Sequence, residues 1–230
     1  YEGNFCTTLV TVTTHIASSL DGISDLDSKT TITRDDLGEY SDEIYKNYII
    51  ACNFTDYAFG KFMQKLEDTG LLDNSILVVY GDHGAGMSLD DMARLYAENE
   101  MTYTEYDNIT KDLHVPFGIR VPNLQSDENI TRCVSKIDIK PTILDLLGIE
   151  DKFSIGTSIF SDKDYSFIKG LGFVTSFNYC VNDRYYDRES MEEIEETEEL
   201  AELQRKMEDE IYLSDTIIKN NLFAKEYEDM

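Results

Sequence analysis

The sequence predicts an α/β fold with a largely parallel sheet flanked by helices, followed by a small antiparallel subdomain and a terminal helix. Three observations predict it. Runs rich in β-branched residues alternate with helix-period segments, the order expected of parallel strands joined by helical crossovers. One of those runs, Ser75 to Tyr80, is apolar without polar alternation, as in a strand covered on both faces. After residue 160 the alternation stops, so residues 1–160 are expected to form the α/β part and residues 161–230 the C-terminal subdomain.

In chain order, Phe5 to Thr14 is β-branched and predicts the first strand. Leu20 to Tyr40 is polar, contains Gly22 and Gly38, and predicts a loop or excursion. Ser41 is placed to cap a long helix in which Tyr45, Ile49, Cys52, Phe59, Phe62 and Leu66 recur near helical spacing and Gly70 is the stop signal. Ser75 to Tyr80 leads directly into Gly81-Asp82-His83-Gly84. Leu89 to Asn99 predicts a surface helix and Val115 to Val121 a strand. Asp138 is expected to cap a helix through Leu147, with Pro141 tolerated in its first turn and Gly148 ending it. Gly170 to Tyr186 predicts short antiparallel strands. Ser190 to Ile211 predicts an acidic helix with Ile194, Leu200, Leu203 and Met207 on its apolar side.

Composition narrows the function. With 230 residues, 41% of them hydrophobic, the chain is long enough for a real core. A formal net charge of -26 argues against nucleic acid, because phosphate binding needs clustered Lys and Arg. The four cysteines form no CxxC pair, which removes a zinc ribbon and a thioredoxin motif. Sequons at Asn53, Asn108 and Asn129 are short enough to arise by chance. No apolar run approaches the roughly 18 residues of a membrane span. The chain enters the Phe5 to Val12 run almost at once, so any targeting segment is expected upstream.

Ligands of open α/β sheets bind beyond the carboxyl ends of strands, which singles out Asp82 and His83. A carboxylate oxygen and an imidazole nitrogen suit Mn²⁺, Mg²⁺ or Zn²⁺, and Gly81 and Gly84 are expected to let the backbone turn so that both side chains converge. The bare pair equally fits an Asp that caps a helix beside a packed His. Likewise His15, a lone histidine after a strand, fits a structural role as well as a functional one.

The surrounding sequence is more telling. Asn47 to Phe62, Leu71-Leu-Asp-Asn-Ser75, Tyr80-Gly-Asp-His-Gly84, His114-Val-Pro-Phe117, Lys136-Ile-Asp-Ile-Lys-Pro-Thr-Ile-Leu-Asp-Leu-Leu-Gly-Ile149 and Ile211 to Phe223 together resemble the C-terminal part of the sulfatase-like catalytic domain of lipoteichoic acid synthases and related phosphoglycerol transferases, in the alkaline phosphatase superfamily. The resemblance implies that Asp82 and His83 are ligands of a catalytic metal, Mn²⁺ or alternatively Mg²⁺ or Zn²⁺. It implies that His15 binds the substrate phosphate; His114 precedes Val-Pro-Phe where these synthases often have a different residue, and is a substrate-binding candidate at the edge of the site.

It further implies transfer of phosphoglycerol from a phosphatidylglycerol-type lipid to a glycerophosphate polymer. The location implied is the extracellular face of a bacterial cell membrane, reached through an upstream anchor. No catalytic nucleophile falls in this segment: the family's threonine and its acidic metal ligand are expected upstream, and Thr7, Thr8, Thr11, Thr13 and Thr14 read as a strand face. Where the family has Pro-Phe after the phosphate-binding histidine, this chain has Ile16-Ala-Ser-Ser19, which leaves the substrate open. The isolated chain is therefore expected to be inactive and to bind metal weakly. The alternatives are a sulfatase, whose Cys-x-Pro-x-Arg motif is absent here; a phosphoethanolamine transferase, whose extra histidines are scarce in a chain with three; and a non-catalytic extracellular interaction domain.

Overall fold

The computed structural model describes residues 3–15, 20, 26–38, 40, 42–124, 129–151 and 154–222. Ser41, Gly22, Phe223 and the 16–19 stretch, all singled out above, lie outside them. The chain divides into two compact units, Tyr1–Ser126 and Asp127–Met230.

In unit 1 a short helix α1 (Leu26–Lys29) precedes the long α2 (Glu43–Asp68). The α2 cap is Asp42, whose carboxylate accepts the Tyr45 N–H at 2.9 Å. The helix ends because Gly70 adopts φ +71° and lets the Leu71 N–H reach back to the Leu66 carbonyl at 3.0 Å. Ile50 and Ala51 are its buried apolar residues. The buried Asn47 beside them is bonded by the Arg34 guanidinium.

The strand β1 (Leu77–Tyr80) pairs with β2 (Phe117–Arg120), and α3 (Leu89–Glu98) and α4 (Glu105–Asp107) lie in the connection between them. The serine before α3 forms a capping box with Asp91, and α4 runs on into a π-helical turn, Asn108–Asp112.

The parallel sheet is where expectation and structure part. Among the described residues every strand pair is antiparallel, β1 with β2 included. The connection over residues 81–116 is an excursion rather than a crossover. Its ends are clasped by the Gly81 N–H bonding the Pro116 carbonyl at 3.0 Å, so the chain re-enters at the edge it left and must run back. Nor is β1 covered on both faces, since Val79 and Tyr80 are half-exposed. The expected strand from Phe5 to Thr14 belongs to no sheet among the described residues, and Leu9, Val10 and Val12 are 67%, 76% and 72% exposed.

Unit 2 is an antiparallel meander with one long helix. Strands β3 (Ser166–Ile168), β4 (Gly172–Val174), β5 (Asn178–Val181), β6 (Arg184–Asp187) and β7 (Glu193–Ile194) pair in sequence order. Asn182 and Asp183 both take positive φ, the two-residue turn whose twist suits a hairpin, between β5 and β6. Gly172 has φ +154°, and a Cβ there would meet the Cys180 carbonyl, so β4 and β5 approach as closely as they do only with glycine. Phe173, Cys180 and Tyr185 form one buried cluster with Leu200 of α6 (Glu198–Asn220), and Phe167, Ile194, Leu203 and Met207 pack against it.

The apolar set expected of the acidic helix is thus assembled, but Ile194 arrives from a strand. Ile194 pairs with Tyr185 in the sheet, Met191 takes φ +60°, and the helix starts only at Thr197, whose hydroxyl accepts the Leu200 N–H. Helix α5 (Ile139–Leu146) ends as expected at Gly148, φ +65°. Asp138 does not cap α5 through its side chain. That carboxylate is wholly buried, where it accepts the Ser135 N–H at 2.8 Å, the Thr157 N–H at 3.0 Å and both oxygens' bonds from Lys163 Nζ at 2.8 and 3.0 Å.

Candidate metal and phosphate site

The end of β1 is fixed by what presses on it. A Cβ on Gly81 would lie 2.9 Å from Val115 Cβ, and one on Gly84 would lie 2.2 Å from the Asp112 carbonyl oxygen. Neither glycine is among the positive-φ residues. They are needed for space rather than for the turning expected of them, because the 81–84 segment lies against the 112–116 backbone. Asp112 is held in turn by the Tyr103 hydroxyl, which donates to its carboxylate at 2.5 Å; burial and that carboxylate push the Tyr103 pKa up.

The same backing contains Asp107 and Lys111. Burial works to raise the Asp107 pKa, but hydrogen bonds from Lys111 and Thr104 outweigh it and leave it lowered. Lys111 spends its charge on this carboxylate at 2.5 Å.

On this support Asp82 and His83 point outward, their side chains 73% and 52% exposed, with His83 Nε2 3.8 Å from Asp82 Oδ1. His83 Nδ1 lies 2.7 Å from the Gly84 carbonyl oxygen. A carbonyl can only accept, so Nδ1 carries the proton. That leaves Nε2, the nitrogen facing Asp82, as the one able to ligate, the arrangement seen when a metal-ligating histidine is steadied by a backbone carbonyl. Two donors each about 2.1 Å from one ion stand at most about 4.2 Å apart. The 3.8 Å gap is therefore one that a single divalent cation spans.

His15 stands beside them. Its ring meets that of His83 edge to face, centroids 5.6 Å apart and planes at 76°, while its backbone N–H bonds the Val12 carbonyl at 3.0 Å. Three of the four residues singled out from sequence thus meet at one place in unit 1. His114 is joined to them through the backbone only: it is exposed, two residues from the Asp112 that Gly84 faces and next to the Val115 that Gly81 faces. Among the described residues no group of three or more His, Cys, Asp or Glu side chains is placed to hold one ion. Sequence reasoning missed the Gly84 carbonyl and the Tyr103–Asp112 prop. The first has no signal in residue type, since every residue has a carbonyl.

With this geometry in hand, comparison with known proteins is informative. A profile of the Sulfatase family matches residues 2–149. The chain is 30% identical to lipoteichoic acid synthase 1 of Bacillus subtilis over 219 residues, covering 93% of this chain and 32% of that protein. It is 27% identical to the lipoteichoic acid synthase-like protein YvgJ of the same organism over 230 residues, covering 95% and 35%. With lipoteichoic acid synthase of Staphylococcus aureus it shares 25% identity over 225 residues, covering 95% and 33%. The chain thus spans about a third of the length of these curated relatives. By structure it resembles the lipoteichoic acid synthase LtaP from Listeria monocytogenes, with a TM-score of 0.70 and 24% identity over 84% of this chain and 50% of that one, a likeness of fold.

Proposed function

This chain belongs to the sulfatase family, and from that premise we propose that it is the C-terminal part of a metal-dependent phosphoglycerol transferase. Its substrate is a phosphatidylglycerol-type lipid, its product a teichoic acid or related glycerophosphate polymer, and its place the extracellular face of a bacterial membrane, reached through an anchor outside this chain. The observation that carries the reading is the meeting of His15, Asp82 and His83 in a chain that aligns over 93% of its length with a lipoteichoic acid synthase.

In this reading Asp82 and the Nε2 of His83 hold a divalent cation, Mn²⁺ or alternatively Mg²⁺ or Zn²⁺. When bound, the ion supplies positive charge to phosphoryl oxygens and lowers the pKa of the attacking hydroxyl. The Gly84 carbonyl keeps the His83 ring in the tautomer that offers Nε2. His15, edge-on to that ring, offers an N–H to a phosphoryl oxygen and so orients the headgroup. His114 contributes at the rim, where an exposed imidazole reaches the glycerol. The threonine nucleophile and the acidic ligand implied by the resemblance come from outside these 230 residues. This chain binds and orients; it does not form the covalent bond.

The test is diacylglycerol release from phosphatidylglycerol vesicles with Mn²⁺ by the natural-length polypeptide carrying this chain. Asp82→Ala and His83→Ala should each lower turnover by about a hundredfold or more, and His15→Gln by less. Wild-type turnover in either alanine variant would refute the assignment of that residue, and no release by the unmodified protein would refute the substrate.

A further inference from the structure

We infer that Tyr103 is a positioning residue for the candidate metal site: its hydroxyl, bonded to the Asp112 carboxylate, holds the main chain that braces Gly84 and thereby fixes which His83 nitrogen faces the cation. The inference deepens the functional reading and rests on it for what His83 ligates.

Tyr103 and Asp112 stand nine residues apart in the connection between β1 and β2, and the phenol joins them at 2.5 Å. Its ring is held from behind by Tyr96 of α3, edge to face with centroids 5.1 Å apart and planes at 77°. Below it, the buried Asp107 closes a capping box with Thr104 and pairs with Lys111. Lys111 Nζ in turn lies 5.9 Å from the ring centroids of both Tyr96 and Tyr106. Residues 96–112 are thus one connected support.

The π-helical turn Asn108–Asp112 is where that support reaches the site. The Leu113 N–H bonds the Asn108 carbonyl at 3.3 Å, five residues back, and the His114 N–H bonds the Lys111 carbonyl at 3.1 Å. Such wide turns are rare and concentrate at functional sites. Here the turn delivers the Asp112 carbonyl against Gly84, where a Cβ would lie 2.2 Å from it. The path from phenol to ligand is short. It runs from hydroxyl to carboxylate, from the Asp112 carbonyl to Gly84, and from the Gly84 carbonyl to His83 Nδ1 at 2.7 Å.

Burial and the Asp112 carboxylate push the Tyr103 pKa up, so the phenol stays protonated and donates. A phenylalanine in its place keeps the ring against Tyr96 and removes only the donor. The carboxylate then turns to other partners, and the turn that carries it is released.

The competing account is that Asp112 helps the cation through its charge, with Tyr103 incidental. The two are separated by reading the His83 ring of this whole chain by nitrogen-15 NMR without metal, and then Mn²⁺ affinity by calorimetry, in the parent, Tyr103→Phe, Asp112→Asn and Asp112→Ala. The neutral His83 ring of the parent should carry its proton on Nδ1. Tyr103→Phe and Asp112→Ala should each lose that preference and lower Mn²⁺ affinity about tenfold. Asp112→Asn, which keeps an acceptor for the phenol without the charge, should retain the preference and stay within about threefold of the parent. Retention of the parent's tautomer in Tyr103→Phe would overturn the inference, even with a lowered melting temperature, since a merely structural role predicts that result. Weakened Mn²⁺ binding in Asp112→Asn with Tyr103→Phe unaffected would overturn it in favour of charge. If Tyr103→Phe does not fold, the contrast between Asp112→Asn and Asp112→Ala decides the same question. No Mn²⁺ binding by the parent would count against the metal reading alone, and the tautomer would still decide the role of Tyr103.

Discussion

The two units solve the problem of burial differently. Among the described residues, eight of the nearly fully buried hydrophobic residues, including Phe173, Cys180, Tyr185 and Leu200, lie in unit 2, which has the shorter span of 104 residues. In unit 1 there are three, Ile50, Ala51 and Ile109. An antiparallel meander needs cover on one face, and α6 provides it. The two-stranded ribbon of unit 1 leaves Val79 and Tyr80 half-exposed, and among the described residues the apolar segment around Leu9 and Val10 joins no sheet. The residues with chemistry to offer, His15, Asp82 and His83, are all in the unit that completes itself least.

The contrast is most easily broken by truncating an apolar residue in each unit. Phe173→Ala should cost about 3–5 kcal/mol in the denaturant unfolding of unit 2, because Phe173 is wholly buried. Leu9→Ala should change the stability of the isolated chain by less than about 0.5 kcal/mol. Similar costs for both would show that residues 6–12 are buried in solution.

Next in size is the ion pair under α5. Lys163→Ala strands the Asp138 carboxylate in the core of unit 2 and should cost about 3 kcal/mol or more by the same measurement. Arg184→Ala, which breaks an exposed pair with Glu193 in the same unit, should cost under about 1 kcal/mol.

In unit 1 the corresponding sensitivity is in the backbone. Gly84→Ala places a Cβ against the Asp112 carbonyl, so the 81–84 segment must shift and the His83 ring loses its bond to residue 84. Thermal stability should drop by about 1–3 kcal/mol and Mn²⁺ affinity by about tenfold. Retained affinity would separate the site from its glycine support.

The smallest effect is a pH dependence confined to unit 2. Burial raises the pKa of Glu210, opposed by the charges of Lys163 and Lys206 and reinforced by Asp138. Folded Glu210 therefore keeps its proton to higher pH than the unfolded chain does. The stability this contributes is full below the ordinary value of 4.5 and is lost as pH rises through the raised one. Glu210→Gln should melt slightly higher than the parent at pH 7, and the gap should close toward pH 4.

Much of this architecture was legible where the cause is local. The α2 periodicity and its Gly70 stop, the Gly148 terminus of α5 and the short strands after residue 170 all depend on residues within a turn or hairpin of one another. What was not legible depends on distant partners. The direction of β2 is set by the clasp between Gly81 and Pro116, and the start of α6 is delayed because Ile194 is claimed by Tyr185 across the sheet. In the site, Asp82 and His83 were conspicuous for their position after an apolar run, whereas His15 came forward through resemblance alone. Gly81 and Gly84 were noticed for flexibility, yet packing is what requires them.

The central functional claim is that Asp82 and His83 form half of a metal site, and calorimetric titration of this chain with Mn²⁺ at fixed salt tests it most directly. The account predicts weak, saturable binding that Asp82→Ala or His83→Ala abolishes and His114→Ala leaves unchanged. Binding that survives both alanine substitutions would place the ion elsewhere on a chain of net charge -26, and no binding by the unmodified chain would remove the half-site.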